Sequence, residues 1–71
     1  MLTMSRTPKL TPRELELVRG IARGRSNREI ASELGISEQT VKNQLTVVFQ
    51  KVHTKNRLEL AVWAMRQGLH H

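Results

Sequence analysis

Ser26-Asn27-Arg28-Glu29-Ile30-Ala31-Ser32-Glu33-Leu34-Gly35-Ile36-Ser37-Glu38-Gln39-Thr40-Val41-Lys42-Asn43 is the stretch that decides the fold. Ser26 and Glu29 stand three residues apart, the spacing at which a hydroxyl and a carboxylate reciprocally cap the start of a helix. Ile30, Ala31 and Leu34 then recur at helical spacing, and Gly35 supplies a residue that enters a left-handed turn without a Cβ penalty. Ser37 is a second N-cap, and Glu38 follows at the first helical position, where the helix dipole favours an anion. Beyond it, Val41, Leu45, Val48 and Val52 form one narrow apolar seam. The stretch predicts a short helix over 27–34, a three-residue turn of Gly35, Ile36 and Ser37, and a longer helix over 38–52.

The same punctuation continues outward in both directions. Toward the N-terminus, Thr11, Pro12 and Glu14 match an N-cap, a proline at the first helical position and a reciprocal glutamate. Leu10 and Leu15 suit a hydrophobic staple across that start. Leu15, Val18, Ile21 and Ala22 carry the helical period, Gly20 reads as a weak interior position, and Gly24 is the stop, which predicts a helix over 12–23. Toward the C-terminus, Asn56 and Glu59 repeat the capping spacing, and the apolar-rich segment from Leu58 to Met65 runs on to Gly68, predicting a helix over 57–67. Strand signals are weak throughout, with one Phe, one Trp and no Tyr and no alternating apolar run. The expected fold is all-α, a four-helix domain over residues 10–69. Residues 1–9, which lack periodicity and include Pro8, read as a flexible arm or linker, and 70–71 as a tail.

Composition sets the bounds. A chain of 71 residues is one domain, and a domain this small hides only about 60% of the surface its unfolded chain exposes. With no cysteine, neither disulfides nor a thiolate zinc site can reinforce it. The His70-His71 pair could be native, tag-derived or a pair of metal ligands, but with only His53 elsewhere no metal site is expected, and no cofactor is expected. No apolar run approaches a membrane span and no signal-peptide pattern is present, so a soluble, cytoplasmic protein is expected. Twelve Lys and Arg against six acidic residues give a formal charge of +6 and a pI near 11.3, which favours a polyanionic partner.

A short helix, a tight turn and a second helix with one apolar edge make a helix-turn-helix, in which the first helix braces the second so that its other side can enter the major groove of DNA. Ile30, Ala31 and Leu34 are the expected brace. At about 100° per residue, Gln39, Asn43, Thr46 and Gln50 fall opposite the Val41 seam, with Lys42 on the flank. Amides, hydroxyls and cations of this kind read base edges, and no carboxylate follows Glu38 on that helix. Exposed helices ordinarily carry mixed charge pairs instead. Gln39, Lys42, Asn43, Thr46 and Gln50 are therefore the candidate base contacts. Arg25, Ser26, Asn27 and Arg28 place cations and polar groups beside the free N–H groups at the start of the second helix. Together with Thr40, Lys51, Lys55 and Arg57 they are the candidate phosphate contacts.

These residues resemble the LuxR-type, or GerE-like, helix-turn-helix domain of bacterial transcription regulators. The resemblance is carried by Leu10-Thr11-Pro12-Arg13-Glu14, by the run from Ile21 to Ala31, by Leu34 to Asn43, by Lys51-Val52, by Arg57-Leu58-Glu59 and by Gly68-Leu69. It implies a four-helix domain that binds DNA as a dimer through its fourth helix, with the third in the major groove. By the same resemblance Lys42, Asn43 and Thr46 match base-reading positions, and Asn27, Thr40 and Lys42 match phosphate-contacting ones. Glu14 matches an acidic position tied to structure through a charged or backbone partner. Gln44, where many members carry His, and Val47, where a polar residue is common, depart from the family pattern.

The fourth helix carries two apolar stripes, Leu60, Ala61, Ala64 and Gly68 on one side and Leu58, Val62, Met65 and Leu69 on the other. One stripe faces the core; the second is expected to form a homodimer interface. The expected function is sequence-specific binding of double-stranded DNA by a transcription regulator, with RNA polymerase as a further partner and neither a membrane nor a small-molecule site in this segment. The alternatives are a sigma-factor-like promoter-reading module and a helical protein-interaction domain. Catalysis is not expected: Asp and Cys are absent, there is no Gly-rich phosphate loop, and the histidines lack acidic partners at a recognised spacing.

Overall fold

The computed structural model describes residues 10–69. It contains α1 (Pro12–Ala22), α2 (Asn27–Leu34), α3 (Glu38–Val52) and α4 (Arg57–Arg66), with no strand among the described residues. The expected arm at 1–9 and tail at 70–71 lie outside those residues. The expected α1 and α4 each end one residue sooner, with Arg23 and Gln67 as C-caps.

Three of the four helices begin as their sequences dictate. Thr11 Oγ1 accepts the Glu14 N–H at 3.1 Å while Glu14 Oε1 accepts the Thr11 N–H at 2.9 Å, and Ser26 and Glu29 repeat both bonds. Ser37 Oγ accepts the Thr40 N–H at 3.0 Å. The fourth start departs from the expected box. Asn56 Oδ1 accepts the Glu59 N–H, but the Glu59 carboxylate reaches one residue further back, to the Lys55 N–H at 2.8 Å.

The four helices also end alike. A left-handed residue follows each one, and the next N–H returns to a carbonyl five residues back: Arg25 to Gly20, Ile36 to Ala31, Thr54 to Phe49 and Leu69 to Ala64. At α2 the left-handed position is Gly35, at φ +70°, and the reversal leads directly into the Ser37 cap that launches α3. At α3 the same position is filled by His53, at φ +57°, which carries the steric cost glycine avoids.

The helices pack α1 on α4, α2 on α3, and α1 on α3. Their core is Leu17, Val18, Ile21, Ile30, Ala31, Val41, Leu45, Val48, Val52, Leu60 and Ala64. The structure adds two points to the sequence reading of α1. Leu17 is fully buried, whereas Leu15 and Ala22 are half-buried. A helix clasped by two neighbours buries an arc wider than a single stripe, so the adjacent pair Leu17 and Val18 both turn inward. Gly20 is not merely a weak interior position: a Cβ there would stand 2.8 Å from Ile30 Cγ1, so the missing side chain admits α2 to α1.

Candidate nucleic-acid interface

The interface is built from the fastening of α3. Val41, Leu45, Val48 and Val52 are all buried, and they lock one side of the helix onto a body in which Ile30, Ala31 and the half-buried Leu34 provide the expected brace. On the opposite side Gln39, Lys42, Asn43, Thr46 and Gln50 are all exposed. They thus form one continuous polar face held by a rigid element. Gln39 Nε2 donates to Asn43 Oδ1 at 3.0 Å, aligning two amides one turn apart. Thr46 Oγ1 donates to the Lys42 carbonyl at 3.1 Å, so the Thr46 hydroxyl keeps only its acceptor capacity, beside its methyl, for an outside partner. Glu38 is the sole acidic residue of α3 and lies in the first turn, so the face carries no carboxylate to repel a polyanion.

The expected phosphate-contacting residues divide into groups. Arg57, at the start of α4, forks across to the start of α2: its Nη1 donates to Asn27 Oδ1 at 2.7 Å and its Nη2 donates to the Arg25 carbonyl. With its oxygen held there, the Asn27 amide has its two N–H donors left for another acceptor. Arg25 is ion-paired with Glu33, and Ser26 is engaged in its cap. The backbone N–H of Ser26 holds the Glu29 carboxyl below its ordinary value, so Glu29 stays ionised at the positive end of α2. Thr40 is half-buried, its Oγ1 2.9 Å from Ser37 Oγ. Arg28, Lys42 and Lys55 are exposed and form no ion pair among the described residues.

Lys51 points elsewhere. Its Nζ lies 2.8 Å from Glu14 Oε1, joining the last turn of α3 to the first turn of α1. That hydrogen bond from Lys51, with the one from the Thr11 backbone, holds the Glu14 carboxyl below its ordinary value. Glu14 is therefore tied by both a charge and a backbone group, as the resemblance implies. Neither the Lys51 link, spanning 37 positions, nor the Arg57 link, spanning 30, has a signal in local spacing.

On α4 the stripe of Leu60 and Ala64 is fully buried and Ala61 half-buried, while Gly68, expected in that stripe, is exposed in the closing turn. Leu58, Val62 and Met65 are 73%, 39% and 52% exposed and form an apolar face without cover among the described residues. Leu69, expected in the same face, instead packs against the core. The left-handed Gly68 reverses the chain, and the Leu69 N–H returns to the Ala64 carbonyl at 2.8 Å. No described helix is long and apolar enough to cross a membrane.

The family model described as "Bacterial regulatory proteins, luxR family" matches residues 8–64. The chain is 43% identical over 60 residues to the transcriptional regulatory protein LiaR of Bacillus subtilis, covering 84% of this chain and 28% of that protein. It is 41% identical over 61 residues to the nitrate/nitrite response regulator protein NarL of Escherichia coli, covering 86% and 28%. To the CsgBAC operon transcriptional regulatory protein of Escherichia coli it is 47% identical over 55 residues, covering 78% and 26%. The chain thus spans less than a third of the length of these relatives.

Proposed function

Because the chain belongs to the luxR family of bacterial regulatory proteins, we propose that residues 10–69 bind double-stranded DNA sequence-specifically, with α3 in the major groove. The observation that carries this reading is the two-sidedness of α3: a buried Val41, Leu45, Val48 and Val52 seam behind an exposed Gln39, Lys42, Asn43, Thr46 and Gln50 face. A helix so mounted can be pressed into a groove without disturbing the core, and its amides and cation match base-edge donors and acceptors. Arg25, Ser26, Asn27, Arg28, Thr40, Lys55 and Arg57 position the domain on the phosphates. Lys51 contributes there only through whatever donor capacity its bond to Glu14 leaves.

The exposed Leu58, Val62 and Met65 face supports pairing with a second copy, which places two α3 helices on half-sites one helical turn apart or a multiple of it. The reading carries no catalytic role. It assigns the domain to a transcription regulator acting in the bacterial cytoplasm, with RNA polymerase as a partner of the regulator as a whole. Selection of bound duplexes from a random pool tests it, the expected product being a pseudo-palindromic sequence. Recovery of no enriched sequence overturns specific binding, and sedimentation showing one protomer per selected duplex at saturation overturns the dimer.

The same apolar face favours a second reading, a protein-interaction module in which the basic surface is incidental. Salt separates the two: affinity for DNA falls steeply with ionic strength through counterion release, whereas apolar pairing does not.

A further inference from the structure

Four large apolar side chains are exposed among the described residues, and three of them, Leu58, Val62 and Met65, share the face of α4. The fourth, Val47, stands on α3 and is 44% exposed. It follows Asn43 by four positions and precedes Gln50 by three, so it adjoins both on the surface of the helix. Val47 thus stands at the edge of that polar face, an apolar group beside amides, a hydroxyl and a cation. Its neighbour Val48 is fully buried and performs the anchoring, so the fold does not require a hydrocarbon at 47. A β-branched side chain in a helix is held almost entirely in one rotamer, which makes its two methyls a fixed surface. On the major-groove edges of the bases the one apolar group is the methyl at C5 of a pyrimidine.

We infer that Val47 is a specificity-determining residue that packs against a pyrimidine C5 methyl beside the bases read by Asn43 and Gln50. The inference rests on the DNA-binding reading above and deepens it, adding an apolar contact to a face otherwise described by hydrogen bonds. The shared chemistry is that of thymine and of 5-methylcytosine, and DNA containing each distinguishes them.

The experiment crosses changes in protein and in DNA. The unaltered chain and Val47→Ala are titrated against a selected duplex, against duplexes in which each thymine in turn is replaced by uracil, and against duplexes in which each cytosine is methylated at C5. Uracil removes only the methyl. At one thymine per half-site it is expected to weaken the unaltered chain about fourfold, the effect of uncovering one methyl-sized apolar group, and to leave Val47→Ala almost unaffected. A cytosine whose methylation tightens the unaltered chain but not Val47→Ala supports the same contact with 5-methylcytosine as its source. Equal responses of the two proteins at every position, or no response at any, overturn the role of Val47. Failure of the unaltered chain to bind any selected duplex overturns the DNA-binding reading itself, and the inference with it. Thermal melting checks that Val47→Ala folds. Val47→Thr keeps the branched shape with one methyl fewer, and a uracil effect reduced in that variant supports the contact while an undiminished one overturns it.

Discussion

Lys51 Nζ and Glu14 Oε1 meet at 2.8 Å, although 37 positions separate them in the chain. The pair joins the end of the helix proposed to enter DNA to the start of the helix that packs on α4, and Glu14 simultaneously caps its own helix through Thr11. One carboxylate thereby holds two elements.

Glu14→Gln retains a side chain able to complete the capping box but removes the charge, so it isolates the link to Lys51. The Lys51 side chain is 35% exposed and solvent screens the pair, so a double-mutant cycle between Glu14→Gln and Lys51→Met is expected to give a coupling of about 0.5–1 kcal/mol. The effect has a defined pH dependence. The folded carboxyl titrates below its ordinary value of 4.5, so its stabilisation is fully present above that value and is lost as pH falls through the lower, folded one. Urea denaturation at pH 7 and at descending pH should show the unaltered chain losing its advantage over Glu14→Gln on acidification. An advantage that grew instead would contradict the assignment.

Gly20→Ala introduces a Cβ 2.8 Å from Ile30 Cγ1 and 3.0 Å from Ile30 Cδ1. Ile30 is only 2% exposed and has little room to withdraw. The higher helix propensity of alanine is therefore outweighed, and the variant is expected to lose about 1–3 kcal/mol by chemical denaturation. A gain in stability would show that α1 and α2 separate without cost.

His53→Gly acts in the opposite direction. His53 occupies the left-handed position that Gly35 fills at the end of α2. Relief of that backbone strain exceeds the added entropy of the unfolded chain, and the variant is expected to gain about 0.5–1 kcal/mol in denaturant midpoint measurements.

Binding should divide by residue class. Lys42→Ala and Asn43→Ala are expected to reduce affinity for a selected site by about 1–3 kcal/mol and to relax preference at particular bases. Arg28→Ala should weaken binding to all sequences alike and lower the salt slope by about one. Fluorescence anisotropy titrations over a range of salt concentrations distinguish these outcomes. Unchanged affinity in all three variants would place the DNA surface elsewhere.

What the sequence made legible was local. Caps, glycine stops and the 3.6-residue period are short-range devices, and they located all four helices, the turn at Gly35 and the buried seam of α3. The contacts that remained hidden are long-range. Leu17 belongs to the core because α1 has two neighbours, which its own period does not reveal. Gly20 has its purpose only when Ile30 is brought beside it. The Arg57 fork on Asn27 and the Arg25 carbonyl likewise depends on how α4 is set against α2. For the candidate site, helical register separated the exposed from the buried side of α3. Leu69 was misplaced because projecting α4 past Arg66 ignored the chain reversal at Gly68.

The division of α3 between Val41, Leu45, Val48 and Val52 on one side and Gln39, Lys42, Asn43, Thr46 and Gln50 on the other also bears on mutational tolerance. Substitutions at exposed positions ordinarily change stability by no more than about 0.5 kcal/mol, whereas truncating a buried leucine costs about 2–5 kcal/mol. Drift and selection can therefore explore the outer residues at little risk to folding, while the inner ones are confined to hydrocarbons of similar volume. On the DNA-binding reading proposed above, one helix thus leaves the groove-facing residues free to change what is bound while the inner residues hold the same architecture.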